Sequence, residues 1–395
     1  MLQIKKPPYL IPSYALTNDL VAFEKCGLQY RLQNRGKLPP GNPVQRWFGE
    51  FIHSVMEEAF LLWEDDDDYK PFPWDWSDRI RKIELDVERR LKSRGLYTLP
   101  TLFCNYDPDN DQACTCSNKE HKLLASKRTE AMINTWGAHL FPLIDESEIR
   151  LQTLRELPKG TSPRADYYEM EGIADVLSSV NILKALKDNE IIENLKKVSE
   201  LNKQISALKS EKYEIIVDYK GTNRPSLTDV EWRLYNWQIL TYAYLRSQQK
   251  GANPVVAGIL IFVNELEPSK TEYRDKLKEE VAHKRSDILP VGDDLQKLKK
   301  WKSGKPPRFS EEFMKARSML IVPVNDKVIE KSLGEWDNIV GIIEGHIEME
   351  TGGKSIIENW PSRPELRSCT ACDHKHFCPS SKHISDPKKR APSAP

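Results

Sequence analysis

The 395 residues carry no net charge: 59 Lys and Arg balance 59 Asp and Glu. That removes the simplest sign of a nucleic-acid partner, an overall basic excess. It leaves open an acidic catalytic site beside a locally basic groove. No window reaches 18 uninterrupted apolar residues, so no membrane span is expected. The opening MLQIKK has no apolar h-region, so a cytoplasmic chain without a secretory signal is expected. No internal repeat is present. A complete P-loop is also missing. Gly352, Gly353, Lys354 and Ser355 imitate its end, but Glu348 stands where its first glycine belongs, and a helical pattern precedes it. The two glycines read as a helix C-cap. An ATP motor, if one is needed, would be another polypeptide.

What remains is globular: 39% apolar and 30% charged residues give a sizeable core under a charged surface. Helical periodicity is expected over 13–33, 44–63, 76–95, 122–141, 228–249 and 326–350. In the second of these, Phe48, Phe51, Ile52, Val55, Met56 and Phe60 recur at three and four. Residues 182–209 repeat Leu195, Val198, Leu201, Ile205 and Leu208, which predicts one amphipathic helix of coiled-coil-like spacing. Residues 213–220, 255–263 and 318–324 read as strands, the first two of them buried. Residues 166–180 read as a paired strand and turn. Residues 265–316 read as a polar, helical surface insertion, and the stretch from Ser380 as a mobile tail. This order implies a mixed α/β core with helical insertions.

Chemistry enters where acids interrupt apolar strands. Asp218 and Lys220 end the run EIIVDYK and, two apart, share one face. Alone they could be a salt bridge or a reaction centre. Asp175 lies inside GIADVL, where a carboxylate is costly unless paired or bound to a cation. Two such acids on neighbouring strands suit Mg²⁺ or Mn²⁺, which favour oxygen ligands. His53, in GEFIHSVMEE with Glu50 and Glu57 nearby, reads as a ligand or as a core histidine. Gln238 and Tyr242 lie four apart, on one helical face.

In this order, His53 in GEFIHSVME, Asp175 in GIADVL, Asp218-Tyr219-Lys220 and Gln238-x-x-x-Tyr242 resemble the motifs of RecB-type nucleases of the PD-(D/E)XK superfamily. The resemblance implies a restriction-endonuclease-like mixed sheet flanked by helices. It also implies a divalent metal held by Asp175, Asp218, His53 and the Tyr219 carbonyl. Lys220 would position the attacking water, and Gln238 and Tyr242 would hold the site or the DNA. Position 218 is Asp where many relatives have Glu, and 42 residues separate Asp175 from Asp218 where simpler relatives use a short hairpin. The expected layout is N-terminal helices with the His motif over 1–60 and a helical insertion over 61–165. The nuclease core follows over 166–263, itself holding the insertion 182–212. A charged insertion over 264–316, a strand, helix and cysteine segment over 317–379, and the tail 380–395 complete it.

Seven cysteines in such a chain read as metal or cluster ligands before disulfides. Cys369-x-x-Cys372-x₅-Cys378 near the end and Cys26 near the start have the split arrangement of iron–sulfur nucleases, the AddB type and the CRISPR-associated RecB-like exonucleases. The resemblance implies a structural 4Fe–4S cluster; zinc on the same thiols, with His374 or His376, is the alternative. Cys104, Cys114, Cys116 and His121 fall within 18 residues and suit zinc or are incidental thiols. The segment 270–317 offers basic residues around Trp301, for phosphates and base stacking or as a solvated face.

Two functions are therefore expected. The first is a metal-dependent DNA exonuclease or end-processing enzyme in repair, CRISPR adaptation or anti-phage defence. The second is a nuclease-fold DNA-binding subunit whose catalysis is lost or depends on a separate helicase or defence complex.

Overall fold

In the computed structural model the described residues are 11–36, 44–107, 116, 120–158, 165–184, 186–269, 272–365, 369, 372–376 and 378–380. The expected mobile tail lies outside them, apart from Ser380. Six strands form one mixed sheet: β1 (Ser13–Ala15), β2 (Ile144–Glu156), β3 (Tyr167–Asn181), β4 (Lys212–Lys220), β5 (Val255–Phe262) and β6 (Met319–Pro323). The centre is the parallel pair β4–β5, both buried almost throughout. Unbroken runs such as EIIV and VVAGILIF suit strands covered on both faces.

Side chains alternate between two cores. Tyr213, Ile215, Val217 and Tyr219 face one way, onto a layer built by α1 (Val44–Asp65), α2 (Arg81–Ser93), α3 (Leu124–Leu140), α4 (Glu190–Lys197) and α5 (Ser199–Ala207). Ile216 faces the other way, with Leu260 and Phe262, onto α6 (Val230–Ser247) and α7 (Asp326–Thr351). Two glycines admit α6: a Cβ at Gly258 would lie 2.1 Å from Ile239, and one at Gly172 would lie 2.7 Å from the Tyr242 ring.

The sheet opens where the acids sit. β3 pairs with β4 only from Val176–Val217 to Asn181–Lys212, and with β1 only over 169–171. Both partners use the same edge of β3, because β2 occupies the other. Among the described residues, 172–175 therefore have no strand on that edge. The next step of the β3–β4 ladder would set Asp175 opposite Asp218, and there the strands part.

The structure corrects several expectations. Residues 13–15 are a strand rather than the start of a helix. Residues 144–156, assigned to a helical insertion, form β2; the charged run IDESEIRLQTLRE hides its alternation because this is an edge strand with one face in solvent. Residues 167–181 are one strand without a turn, since Gly172 serves close packing. The single helix expected over 182–209 is two, broken at Val198 in extended backbone (φ −77°, ψ 104°). Its apolar positions Leu195, Leu201 and Ile205 enter the main core instead of a coiled-coil seam. The segment 265–316 has a small core of its own, formed by Tyr273, Leu277, Leu298, Trp301, Phe309 and Phe313. Trp301 is 5% exposed and cannot be a base-stacking platform. Gly352 does cap α7, with Gly353 in left-handed backbone. No helix among the described residues is long and apolar enough to cross a membrane.

Candidate active site

The parting of β3 and β4 brings together the acids and the histidine named from sequence. Ligand atoms of His53, Asp175 and Asp218 lie within 4.8 Å of one another. α1 delivers His53: its Nδ1 is 3.2 Å from Asp175 Oδ1, and its Nε2 is 2.8 Å from the Tyr219 carbonyl. The Tyr219 N–H donates to Asp175 Oδ2 at 2.9 Å, replacing the ladder bond lost where the strands separate. His53, Asp175 and Tyr219 thus touch one another, and Asp218 lies beside them, with a ligand atom within 4.8 Å of those of His53 and Asp175.

Lys220 and α6 form the second half. The ammonium is 2.9 Å from Asp218 Oδ2 and 2.7 Å from Oδ1. Only Oδ2 accepts in good hydrogen-bond geometry, so Oδ1 is a buried oxygen with charge contact but no directed donor. Lys220 also donates to Gln238 Oε1 at 2.7 Å, and Gln238 Nε2 donates to the Tyr242 hydroxyl at 3.0 Å. The Tyr235 ring lies 4.9 Å from Nζ. Tyr235 was not expected, although its spacing, three before Gln238, puts it on that helical face. Glu148 was also missed, because its strand was. It lies in left-handed backbone (φ 52°) at the register position facing Asp175.

The electrostatics show two acids forced together. Burial, then the Asp175 carboxylate, pushes the Asp218 carboxyl up to about 6. Burial also works against ionised Asp175, but His53, Lys220 and the Tyr219 N–H together outweigh it and hold that carboxyl low. Burial opposes charge on His53 as well, yet Asp175 and Asp218 raise it to about 9. Burial and then Asp175 raise Glu148 too. A site whose crowded carboxylates raise the proton affinity of a histidine and of a neighbouring carboxyl has the donor set for a cation.

Two further clusters converge. Cys26, Cys369, Cys372 and Cys378 line one cavity, with His374 but not His376. Cys26 sits in extended backbone between two helical turns (Ala22–Lys25 and Gly27–Tyr30), and the Leu28 N–H donates to the Pro361 carbonyl at 3.0 Å. Burial, then the three neighbouring thiols, pushes the Cys372 thiol up. Cys104, Cys116 and His121 form the other cluster; Cys114 lies outside the described residues.

The exposed positive charge of 270–317 is narrower than its sequence suggests. Lys276, Arg285, Lys297, Lys315 and Arg317 are held in ion pairs. Lys299, Lys300, Lys302, Lys305 and Arg308 are exposed around the buried Trp301. No protein-family model matches the chain, and no curated protein matches it either.

Proposed function

We propose that this chain is a metal-dependent DNA nuclease of the PD-(D/E)XK, RecB-like kind, an exonuclease or end-processing enzyme serving repair, CRISPR adaptation or anti-phage defence. One observation carries the reading: His53, Asp175 and Asp218 converge where two strands part, with Lys220 tied to Asp218. Asp218 Oδ1, buried and without a directed hydrogen-bond donor, fits a cation. Asp175, Asp218, His53 and the Tyr219 carbonyl would hold Mg²⁺ or Mn²⁺, the nitrogen favouring Mn²⁺. When bound, such an ion supplies Lewis acidity to a phosphodiester and acidifies a water. Lys220 positions that water and offers its charge to the phosphate as negative charge develops there. Gln238, braced by Tyr242, fixes the ammonium, and the Tyr235 ring limits its swing. Exposed Lys299, Lys300, Lys302, Lys305 and Arg308 serve as the phosphate-contacting surface. The four-thiol cavity would hold a 4Fe–4S cluster in a structural role, tying residues 26–28 to 361–378.

A second reading has its own support. Asp218 is only 1% exposed, and Lys220 is fully engaged by its neighbours. An acid so buried suits a subunit that a helicase or defence-complex partner opens. End-labelled single-stranded, double-stranded and closed circular DNA, incubated with Mg²⁺ or Mn²⁺ and protein purified without oxygen, separates the two. Metal-dependent cutting establishes the nuclease. Binding without cutting favours the subunit.

Two outcomes are expected at this site and surface. Mn²⁺ affinity should rise with pH between about 6 and about 9, because a bound ion must displace the protons on Asp218 and His53. Calorimetry at pH 7 in buffers of different ionisation heat should show proton release; its absence would remove His53 from the ligand set. Replacing Lys299, Lys300 and Lys302 together by alanine should weaken binding equally across DNA sequences. The salt slope of log affinity should fall by about 2–3. An unchanged slope places the DNA elsewhere.

A further inference from the structure

We propose that Cys104, Cys116 and His121 bind a zinc ion that braces the loop over α2 and, through it, the helix carrying His53. His121 Nδ1 is 3.3 Å from Cys104 Sγ and 3.2 Å from Cys116 Sγ. An imidazole nitrogen carries either one lone pair or one N–H, so in either tautomer it makes one well-directed hydrogen bond to a sulfur, not two. A shared cation explains both contacts. Zinc at 2.3 Å from sulfur and 2.0–2.1 Å from nitrogen in a tetrahedron separates the two by about 3.5 Å. The observed spacings fall within a few tenths of that.

The surroundings are those of a ligand set. The Tyr106 N–H points at Cys104 Sγ, 3.4 Å away. The Tyr106 ring stacks on His121 at 4.0 Å with 18° between planes. The buried Arg81 guanidinium, on α2, donates to the Cys104 carbonyl at 2.8 Å and also to the Tyr106 carbonyl. These contacts fix sulfur, ring and backbone together. His121 itself sits in left-handed backbone (φ 56°), a conformation few non-glycine residues keep unless the fold requires it. Two thiolates and an imidazole form a borderline-soft set that cancels the charge of Zn²⁺, which lets it sit beside the buried Cys104. The mechanical link is short. The Phe103 ring packs, tilted, against Phe51 at 5.1 Å and Trp47 at 5.7 Å, on the helix that presents His53.

The full chain, dialysed against EDTA and measured by elemental analysis, should retain one equivalent of zinc. Cys104→Ser and His121→Ala should lose it, while Cys372→Ser keeps it. Cobalt substitution should give the intense visible bands of a tetrahedral thiolate site in wild type and Cys372→Ser, at least tenfold weaker in Cys104→Ser. Should those variants fail to fold, wild type alone decides. Stripping zinc with a strong chelator should raise alkylation of Cys104 and Cys116, mapped by mass spectrometry, at least tenfold. Wild type that binds no zinc when supplied with it overturns the proposal. So does zinc that disappears in Cys372→Ser but persists in Cys104→Ser.

Discussion

Asp218→Ala is expected to lower metal-dependent cleavage by the proposed nuclease about 10³-fold or more, since it would remove a proposed ligand of the cation. The informative companion is Asp218→Asn, which keeps the shape and removes the charge. It should cut no better. Its metal-free stability should nevertheless match or exceed wild type at neutral pH. The sign follows from linkage. A carboxyl whose folded pKa is raised above its unfolded value favours folding when protonated, and that contribution is lost as pH rises through about 6. Above that pH the carboxylate is a net burden on the metal-free fold, and asparagine lifts it. Wild type should gain melting temperature on adding Mn²⁺, and Asp218→Asn should not. A mutant that cuts at the wild-type rate, or gains as much from Mn²⁺, would remove Asp218 from the site.

Arg317→Ala is expected to cost about 3–5 kcal/mol of folding stability, the usual penalty for stranding buried charges. Its guanidinium is 1% exposed. It bonds Glu265 at 2.7 Å, Glu280 at 3.0 Å, Ser286 at 3.2 Å and the Ile288 carbonyl at 2.9 Å. Glu265 also accepts from the Arg224 N–H and the Tyr273 hydroxyl. This group fastens the segment bearing the exposed lysines to the end of β5. Pairing Arg317→Met with Glu265→Gln and Glu280→Gln should recover much of the loss, because no buried charge then lacks its partner. Urea denaturation compares the variants. A loss under 1 kcal/mol for Arg317→Ala would mean that water reaches the acids.

The sequence made the chemistry more legible than the architecture. Asp175, Asp218 and His53 could be picked out because a charged or titratable group inside an apolar run has few explanations, and the structure brings these three together. Gln238 and Tyr242 followed from helical spacing. The buried strands β4 and β5 were plain for the same reason, since continuous apolar runs mark them. β2 was not, because an edge strand with one wet face resembles a charged helix at short range. Glu148 vanished with it. The break at Val198 was equally hidden: periodicity records which residues seek the core, not whether the backbone between them stays helical. Trp301 shows the limit of reading charge. The lysines around it suggested a nucleic-acid surface, yet only tertiary packing decides which way an aromatic among them turns.

The thiol cavity has a consequence for how the protein is made. Cys26 is synthesised long before Cys369, Cys372 and Cys378, which share its cavity. The cavity therefore cannot exist on a nascent chain that has not yet reached Cys378. A product truncated before residue 369 carries one of the four thiols and cannot complete the cavity. Loading would then distinguish chains that contain all four thiols from those that stop short of them.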